Sequence, residues 1–501
     1  MSESNEGLYF ATLDGLLFVD NYTQQLDHLP QINMGLPSHR LYQVYHDAST
    51  DGLWVVHDTG ISFRLRTDET WRHVPFRALS DNFRGRAVTR LGGTFDGVWV
   101  DMDGVYTLLH PFTGEFMRRD IAPPGGQVEW NTNQAQFYEP PDLLGWITLG
   151  EWSTSITEFL GPGFLSTTPT FVYHDRSDRV WYGTTLGTLF LGDPYTKRLE
   201  ALQAGIAPQP VTMMYRDGER VWFADNAFRR VGVTASRRGV YFLSSWDERG
   251  STWRYHSSLE SEAIRDVGVN DMLRVGHQLW LATMGGIVLL DTRSGSWGYV
   301  GMDAGLRDRA VWDLARRGDV VFAATIRGID RISIASKQVL AEDSTSVSPI
   351  VEVYALSEGD ETLFAGTAQG VYAYANSRSP QWMRISNLPA VGIWGDDKGL
   401  FVLANNLVYH REPGDREFTL APIPLSGEAR ILEIEGYGSY IWLATSRGAL
   451  VYDRSDGRLI RFGIQEGLPS EVVYAVEPAA DWVWFLTKAG VVRFNWRAYF
   501  D

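Results

Sequence analysis

The tetrapeptide Val-Tyr-His-Asp occurs twice in this chain, at 44–47 and again at 172–175. A histidine beside an aspartate can ligate a divalent metal or move a proton, provided a second such group comes close to it. Other residue sets also carry chemical potential. Arg327, Arg447 and Lys488 each stand just before or beside a glycine in similar phrases. Arg229, Arg230, Arg237 and Arg238 crowd into DNAFRRVGVTASRR (225–238), and Trp130, Phe137, Tyr138, Trp146 and Trp152 lie among Pro, Gly and Ser in 127–170. Arginines suit anions and protein interfaces, although a solvated loop accounts for 225–238 equally well. Aromatics with a polar handle suit sugars or protein anchors, but burial in a degenerate blade or short helix is the expectation for most of those in 127–170. No P-loop, HExxH, GxSxG or glycine-rich dinucleotide turn is present, which removes the motif-borne nucleotide and hydrolase chemistries. Whether any of these groups meet depends on the elements that carry them.

Those elements repeat. IWLATSRGALVYDRSDGRLIRF (441–462) has nearly the shape of LWLATMGGIVLLDTRSGSW (279–297). A bulky residue marks the same point of each unit: Tyr9, Trp54, Trp99, Trp181, Trp222, Trp280, Phe322, Phe364, Phe401, Trp442 and Trp484. The spacing is about 42 residues, doubled between Trp99 and Trp181, where Trp146 in GWITLG is the expected remnant of a disguised unit. It is stretched between Trp222 and Trp280 by the 225–238 insertion. Each unit reads as four strands: an apolar strand a, the WVWFLT-type strand b, a GVVRFN-type strand c and a polar strand d. The glycines between b and c (Gly15, Gly60, Gly104, Gly286, Gly328, Gly370, Gly448) suit a hairpin with positive φ, and DTRSG, DRSDG and HPFTG suit c–d turns.

A four-stranded unit of this length is a propeller blade, and a propeller holds four to eight blades. About twelve units therefore predict an all-β chain of two β-propellers in tandem, at 1–269 and 270–501, each of about six blades; seven plus five, or a pair of seven-bladed rings with degenerate blades, are the other divisions. Strand a is missing before Tyr9, so Ala263–Val269 is expected to close the first ring. The two His-Asp pairs then fall at the a–b turns of separate blades, too far apart for one ion, and no metal or cofactor is expected. The b–c turns share a face, carrying Asp14, Thr59 and Asp103 in the first ring against Arg327, Gln369, Arg447 and Lys488 in the second. The second ring would then offer a cationic mouth to an acidic ligand, unless these charges only solvate the surface. SWDERGSTW (245–253) comes within one residue of the Asp-box of sialidase-like propellers, a turn-stabilising device.

The units resemble the two-component regulator propeller repeat. The pattern is carried by Gly35-Leu36-Pro37-Ser38, Asp51-Gly52-Leu53-Trp54, Leu279-Trp280-Leu281-Ala282-Thr283, Leu363-Phe364-Ala365-Gly366-Thr367, Ile441-Trp442-Leu443-Ala444-Thr445 with Tyr452-Asp453, and Gly467-Leu468-Pro469-Ser470. The resemblance covers most of the chain and departs at 127–170 and 225–238. It implies paired propellers of the kind found in periplasmic sensor regions or in free-standing exported parts of bacterial secretion systems, hence a periplasmic or extracellular setting after removal of a leader. A cytoplasmic setting is the alternative, since the polar start MSESNEG is no signal peptide.

Composition narrows the partners. The 501 residues carry a net charge of −16, with no cysteine. An acidic chain is a poor match for nucleic-acid phosphates, and disulfides and thiolate metal sites are excluded. No apolar run is long enough to insert into a membrane. Two functions remain: a non-catalytic scaffold binding a protein or glycan, or a lyase or glycosidase acting on a polysaccharide. An enzyme would bring two or more acidic or histidine side chains together with perturbed pKa values, whereas a scaffold would present a broad patch.

Overall fold

A computed structural model describes the chain except residues 14, 23–25, 28–34, 69, 80–86, 120–122, 124–126, 132–141, 150–151, 162–164, 203–204, 207–210, 227–240, 250–251, 258–259, 265–267, 341–349, 360–361, 376–380, 426–427 and 501. Twelve antiparallel-based sheets are described: seven of four strands, two of five and three of three. Helix among the described residues is limited to short turns such as Phe76–Leu79 and Arg497–Phe500, and no described helix is long and apolar enough to cross a membrane. In each regular sheet the strands run a-b-c-d in chain order, the weave of a propeller blade. The protein is an all-β chain built of β-propeller blades.

The chain divides into two compact units, Met1–Pro208 with Asp247–Trp253, and Gln209–Trp246 with Arg254–Asp501. The division expected at 269/270 is therefore displaced. Val269–Val275 is the inner strand of a blade in the second unit, and Glu262–Ile264 is a single 3-10 turn rather than a strand. The first blade needs no strand from there, because Ser2–Glu3 pairs with its own b strand, Ser2 opposite Tyr9 and Glu3 opposite Leu8. Its position is held by Ser2 Oγ, which accepts the His46 amide of the next blade at 2.8 Å.

The second unit holds seven sheets rather than six, at 213–257, 269–300, 311–333, 353–386, 392–420, 431–462 and 473–494. Their inner strands contact one another in that order, and the first, Met213–Asp217, also contacts the last, Val473–Pro478. The ring therefore closes on itself, which leaves only short edges, those of each blade's outermost strand. Trp246 meets Trp484 edge-on at 5.3 Å across that closure. The first unit holds five sheets, at 2–27, 41–75, 90–130, 153–167 and 147–202, the last with strands on either side of the fourth.

The recurrent bulky residue is explained by packing between blades. Trp54, Trp99, Trp181, Trp222, Trp280 and Trp442 are all fully buried, and Trp54, Trp181, Trp222, Trp280 and Trp442 each pack between their own blade and a neighbour. Residues 127–170 form neither a helix nor an ordinary blade among the described residues. Glu129–Trp130 pairs with strand Arg90–Thr94 of the preceding sheet, Ile147–Thr148 adds in parallel to Arg198–Leu202, and 153–167 makes a small sheet of its own. Trp146 is thus not the b-strand residue of a disguised blade. It packs on the outer part of the following one, with Lys197 Nζ 4.8 Å from its ring centroid.

Candidate functional site

The Ala-Thr-x-x-Gly phrase is a hairpin cap. Thr283, Thr325, Thr367, Thr445 and Thr487 each donate Oγ1–H to the carbonyl of the turn glycine, at 2.8, 2.8, 2.8, 2.6 and 2.8 Å. Each hydroxyl also accepts a backbone amide from within the turn, that of Arg447 at 3.0 Å, for example. The glycines at 286, 328, 370 and 448 have φ of 129°, 136°, 140° and 93°, where an L side chain is strained. Gly60 lacks the left-handed φ expected of it; there a Cβ would lie 2.4 Å from the Val74 carbonyl oxygen. Caps of this kind hold the intervening side chains rigidly outward.

Those side chains include the expected cations. Arg327, Arg447 and Lys488 are exposed on the b–c turns of the third, sixth and seventh blades of the second unit, with Gln369 exposed on the fourth. Arg327 is 3.3 Å from the mostly covered Asp308, while its own side chain stays exposed. Their face is not the basic mouth that the turn residues alone predict. The d–a connections reach the same face, since the Gly448 amide donates to Glu471 O and the Glu352 amide to Ile326 O. They bring exposed Asp303, Glu352, Glu466 and Glu471 among the cations. The face also exposes Met284, Met302, Ile326, Val391 and Ile464, the last two at 58% each.

A second constellation lies at the inner edge of the same ring. Most inner strands carry a β-bulge at their second residue, as between Val269 and Asp271, Val311 and Asp313, and Ile431 and Glu433. A bulge leaves a ladder amide without its partner, and a side chain from the preceding blade takes up an amide nearby. Leu314 N–H donates to Asp271 Oδ2 at 2.9 Å, Leu356 to Asp313 Oδ2 at 2.8 Å and Val476 to Glu433 Oε2 at 2.8 Å. Tyr215 Oη and Ser357 Oγ serve Arg274 and Gly395 in the same way, at 3.1 and 3.0 Å. The clasps hold blade to blade around the axis.

Crowding carboxylates at one edge perturbs them. Glu477 is pushed well above the usual carboxylate range by burial and then by the charges of Glu435 and Glu433, against the opposing pull of the Arg216 amide and guanidinium. Asp313 is likewise raised, by burial first and then by the charge of Asp271, to which it is hydrogen-bonded. Sequence reasoning missed this belt. The signal was available in acidic residues interrupting otherwise apolar inner strands, as in VNDMLRV, VWDLARR, ILEIEGY and VYAVEP.

The remaining candidates are scattered. Trp152 is core, stacked edge-on against Phe190 at 5.1 Å, and so is not a surface anchor. Trp130 is half-buried under the Arg90 guanidinium, 4.2 Å from its ring. Tyr138, Arg229, Arg230, Arg237 and Arg238 lie outside the described residues. The His-Asp pairs do not meet: Asp47 accepts Ser49 and Thr50 hydroxyls in its own turn, and Asp175 accepts Arg179 Nε at 2.6 Å and Trp181 Nε1 at 2.8 Å. Among the described residues no cluster of three metal-ligating side chains has ligand geometry. In SWDERGSTW, Asp247 Oδ1 accepts the Arg249 amide at 3.1 Å, a turn-stabilising contact.

With fold and site in place, comparison adds the following. No protein-family model and no curated protein matches the chain. Among solved structures it is similar to the extracellular domain of a putative one component system from B. thetaiotaomicron, at 14% identity and TM-score 0.44, over 99% of this chain and 69% of that one. It is similar to a selenomethionine-substituted virginiamycin B lyase from Staphylococcus aureus, at 14% identity and TM-score 0.44, over 56% and 93%. A third is YCF48 bound to D1 peptide, at 16% identity and TM-score 0.42, over 56% and 90%.

Proposed function

We propose that this chain is a non-catalytic recognition module, a tandem β-propeller that binds a partner protein through the b–c turn face of its second unit. The observation that carries the reading is the mixture on that face. Exposed Met284, Met302, Ile326, Val391 and Ile464 stand among Arg327, Arg447 and Lys488, and methionine and arginine with apolar residues are the composition enriched at protein interfaces. Met284, Ile326, Arg327, Arg447 and Lys488 stand on hairpins closed by a threonine hydroxyl, a constraint that lowers the ordering entropy lost on binding. A periplasmic or extracellular bacterial assembly is the proposed setting, on the strength of the repeat's Gly-Leu-Pro and Leu-Trp-x-Ala-Thr pattern; a glycan is the alternative partner.

The test is chemical crosslinking and co-purification from a native envelope fraction. Wild type is compared with Ile326→Glu/Ile464→Glu and with Arg327→Glu/Arg447→Glu. A partner retained by wild type and lost with either pair supports the reading; identical profiles for all three overturn it.

The acidic belt favours one second reading, a lyase or glycosidase, because Glu477 carries the raised pKa of a general acid. Against it, Asp271, Asp313 and Glu433 are already engaged as interblade clasps. Cleavage of any polysaccharide in a screen, abolished by Glu477→Gln, would reverse the order of the two.

A further inference from the structure

The first unit carries a separate set of groups on the face formed by its a–b and c–d turns. Tyr22, Phe95, Phe112 and Tyr195 stand at turn tips there, exposed by 89, 92, 50 and 82%. We infer that this face binds an uncharged polysaccharide, whose sugar rings stack on these aromatics. Tyr22, Phe112 and Tyr195 sit in the c–d turns of the sheets at 2–27, 90–130 and 147–202, and Phe95 in the a–b turn of the sheet at 90–130.

One local device presents three of the rings. The Tyr22 and Tyr195 amides donate to Asp20 Oδ1 and Asp193 Oδ1 at 2.8 and 2.9 Å, and the Phe112 amide donates to His110 Nδ1 at 3.3 Å. The turn itself does not ask for an aromatic. In the second unit Asp291 and Asp453 accept the amides of Arg293 and Ser455 in the same way, at 3.0 and 2.8 Å. Recurrence at one turn position of one face separates Tyr22, Phe112 and Tyr195 from apolar residues scattered singly over a surface.

Turns a–b and c–d leave the same end of an antiparallel blade, and contacts between blades keep those ends together. Arg66 of the second c–d turn reaches Glu6 of the first a–b turn and Asp51 of its own blade, both at 3.0 Å. Arg72 Nη1 donates to Phe112 O of the third blade at 2.6 Å. The Arg176 amide, beside Tyr195's own strands, donates to Glu3 Oε2 of the first blade at 3.3 Å.

The chemistry of the face selects the ligand. Its arginines are met by carboxylates, Arg66 by Glu6 and Asp51, Arg72 by Asp68 and Arg179 by Asp175, which suits an uncharged partner and gives nucleic-acid phosphates no basic track. The exposed aliphatic residues Leu13 and Leu186 belong to b–c turns on the opposite face. A protein partner favours a contiguous apolar core, whereas these rings stand apart among Asp, Thr and Pro. A sugar ring has apolar C–H faces and a polar rim, which match isolated aromatics set among hydrogen-bonding groups. The a–b and c–d turns of one blade lie about 10 Å apart, two strand spacings, and neighbouring blades add further rings. A polymer engaging several of them at once gains affinity that a single sugar does not.

The test is affinity electrophoresis of the full chain in native gels cast with soluble uncharged polysaccharides: a mixed-linkage glucan, arabinoxylan, galactomannan and dextran. Retardation by at least one is expected. For that polymer the affinity should fall at least about tenfold in Tyr22→Ser/Tyr195→Ser and in Phe95→Ser/Phe112→Ser. Thermal unfolding of each variant checks that it folds. Ile326→Glu/Ile464→Glu, on the protein-binding face of the second unit, should be retarded as wild type is, which keeps this outcome separate from that reading. Retardation by none of the four polymers, or retardation unaltered in both aromatic pairs, overturns the inference. So does co-sedimentation with phosphatidylcholine vesicles that the same pairs abolish, which assigns the rings to a lipid surface.

Discussion

Replacing Thr445 by valine tests whether the Ala-Thr-x-x-Gly phrase is architecture. The side chains are nearly the same shape, so packing is preserved and only the hydroxyl is lost. Thr445 is buried to 1% exposure, and its Oγ1 donates to Gly448 O at 2.6 Å while accepting the Arg447 amide at 3.0 Å. Leaving a buried polar group without a partner costs about 1–3 kcal/mol. The carbonyl suffers most of this, because the Arg447 amide belongs to an exposed turn that water reaches. Relief from burying a hydroxyl, and the higher strand propensity of valine, offset about 1 kcal/mol. The net loss is about 1–2 kcal/mol, or roughly 2–3 °C in the transition of a unit of this size. Differential scanning calorimetry is the assay, read on the second unit's transition because two units need not unfold together. Thr445→Ser keeps the hydroxyl and should retain more of the stability than valine does. Valine matching wild type within about 0.5 kcal/mol, or serine falling further than valine, would refute the capping argument.

Three other outcomes follow from the same structure. Gly448→Ala should destabilise by about 2 kcal/mol or more, since its Cβ would sit 2.3 Å from the Phe462 carbonyl oxygen at a φ of 93°; Arg447→Ser, one residue away and exposed, should shift the same calorimetric transition by less than about 0.5 kcal/mol. Burial, with the charge of His73 next, lowers His57 to a pKa of about 4, so the unfolded chain takes up the proton first and stability falls as pH drops from about 6.5 toward 4. The loss is about 1–2 kcal/mol, allowing for partial hydration on protonation, and a urea-midpoint profile of His57→Asn should be flatter over that window. Glu477 runs the other way: with its folded pKa raised, stability is full below the unfolded value near 4.3 and declines as pH rises toward the folded value. Glu477→Gln should therefore be more stable than wild type at pH 8 and gain little at pH 4; a variant less stable at both would mean that the carboxylate itself holds the Arg216 side of the ring.

Much of the fold was legible because each blade solves one packing problem. Every b strand must fill the gap to a neighbour, which selects Trp442 or its equivalent, and must end in a tight hairpin, which selects Thr445 and Gly448. Those demands recur with every blade and so appear as a period. The partition into rings was not legible in the same way, because the blades closing the second ring are alike in local pattern. Only the spatial meeting of Met213–Asp217 with Val473–Pro478 shows where that ring begins. Trp146 misled for a related reason: its phrase has the right residues at the right spacing, yet Ile147–Thr148 joins a neighbouring sheet in parallel. Trp152 stayed ambiguous between anchor and core because an aromatic among Pro and Gly reads alike whether the segment lies over the surface or folds under it.

The amino-acid order alone determined an all-β chain of about twelve repeated units, and it marked Arg447 as the residue in its phrase that blade packing does not require. Tertiary structure decided what lies beside what. Acidic residues 42 or more positions apart, Asp271 with Asp313 and Glu435 with Glu477, become neighbours only when inner strands gather about an axis. Tyr22, Phe112 and Tyr195 likewise share a face only because contacts between blades hold their turns together. Charge that is spread along a chain has no collective chemistry; its pKa shifts arise from distances that folding sets.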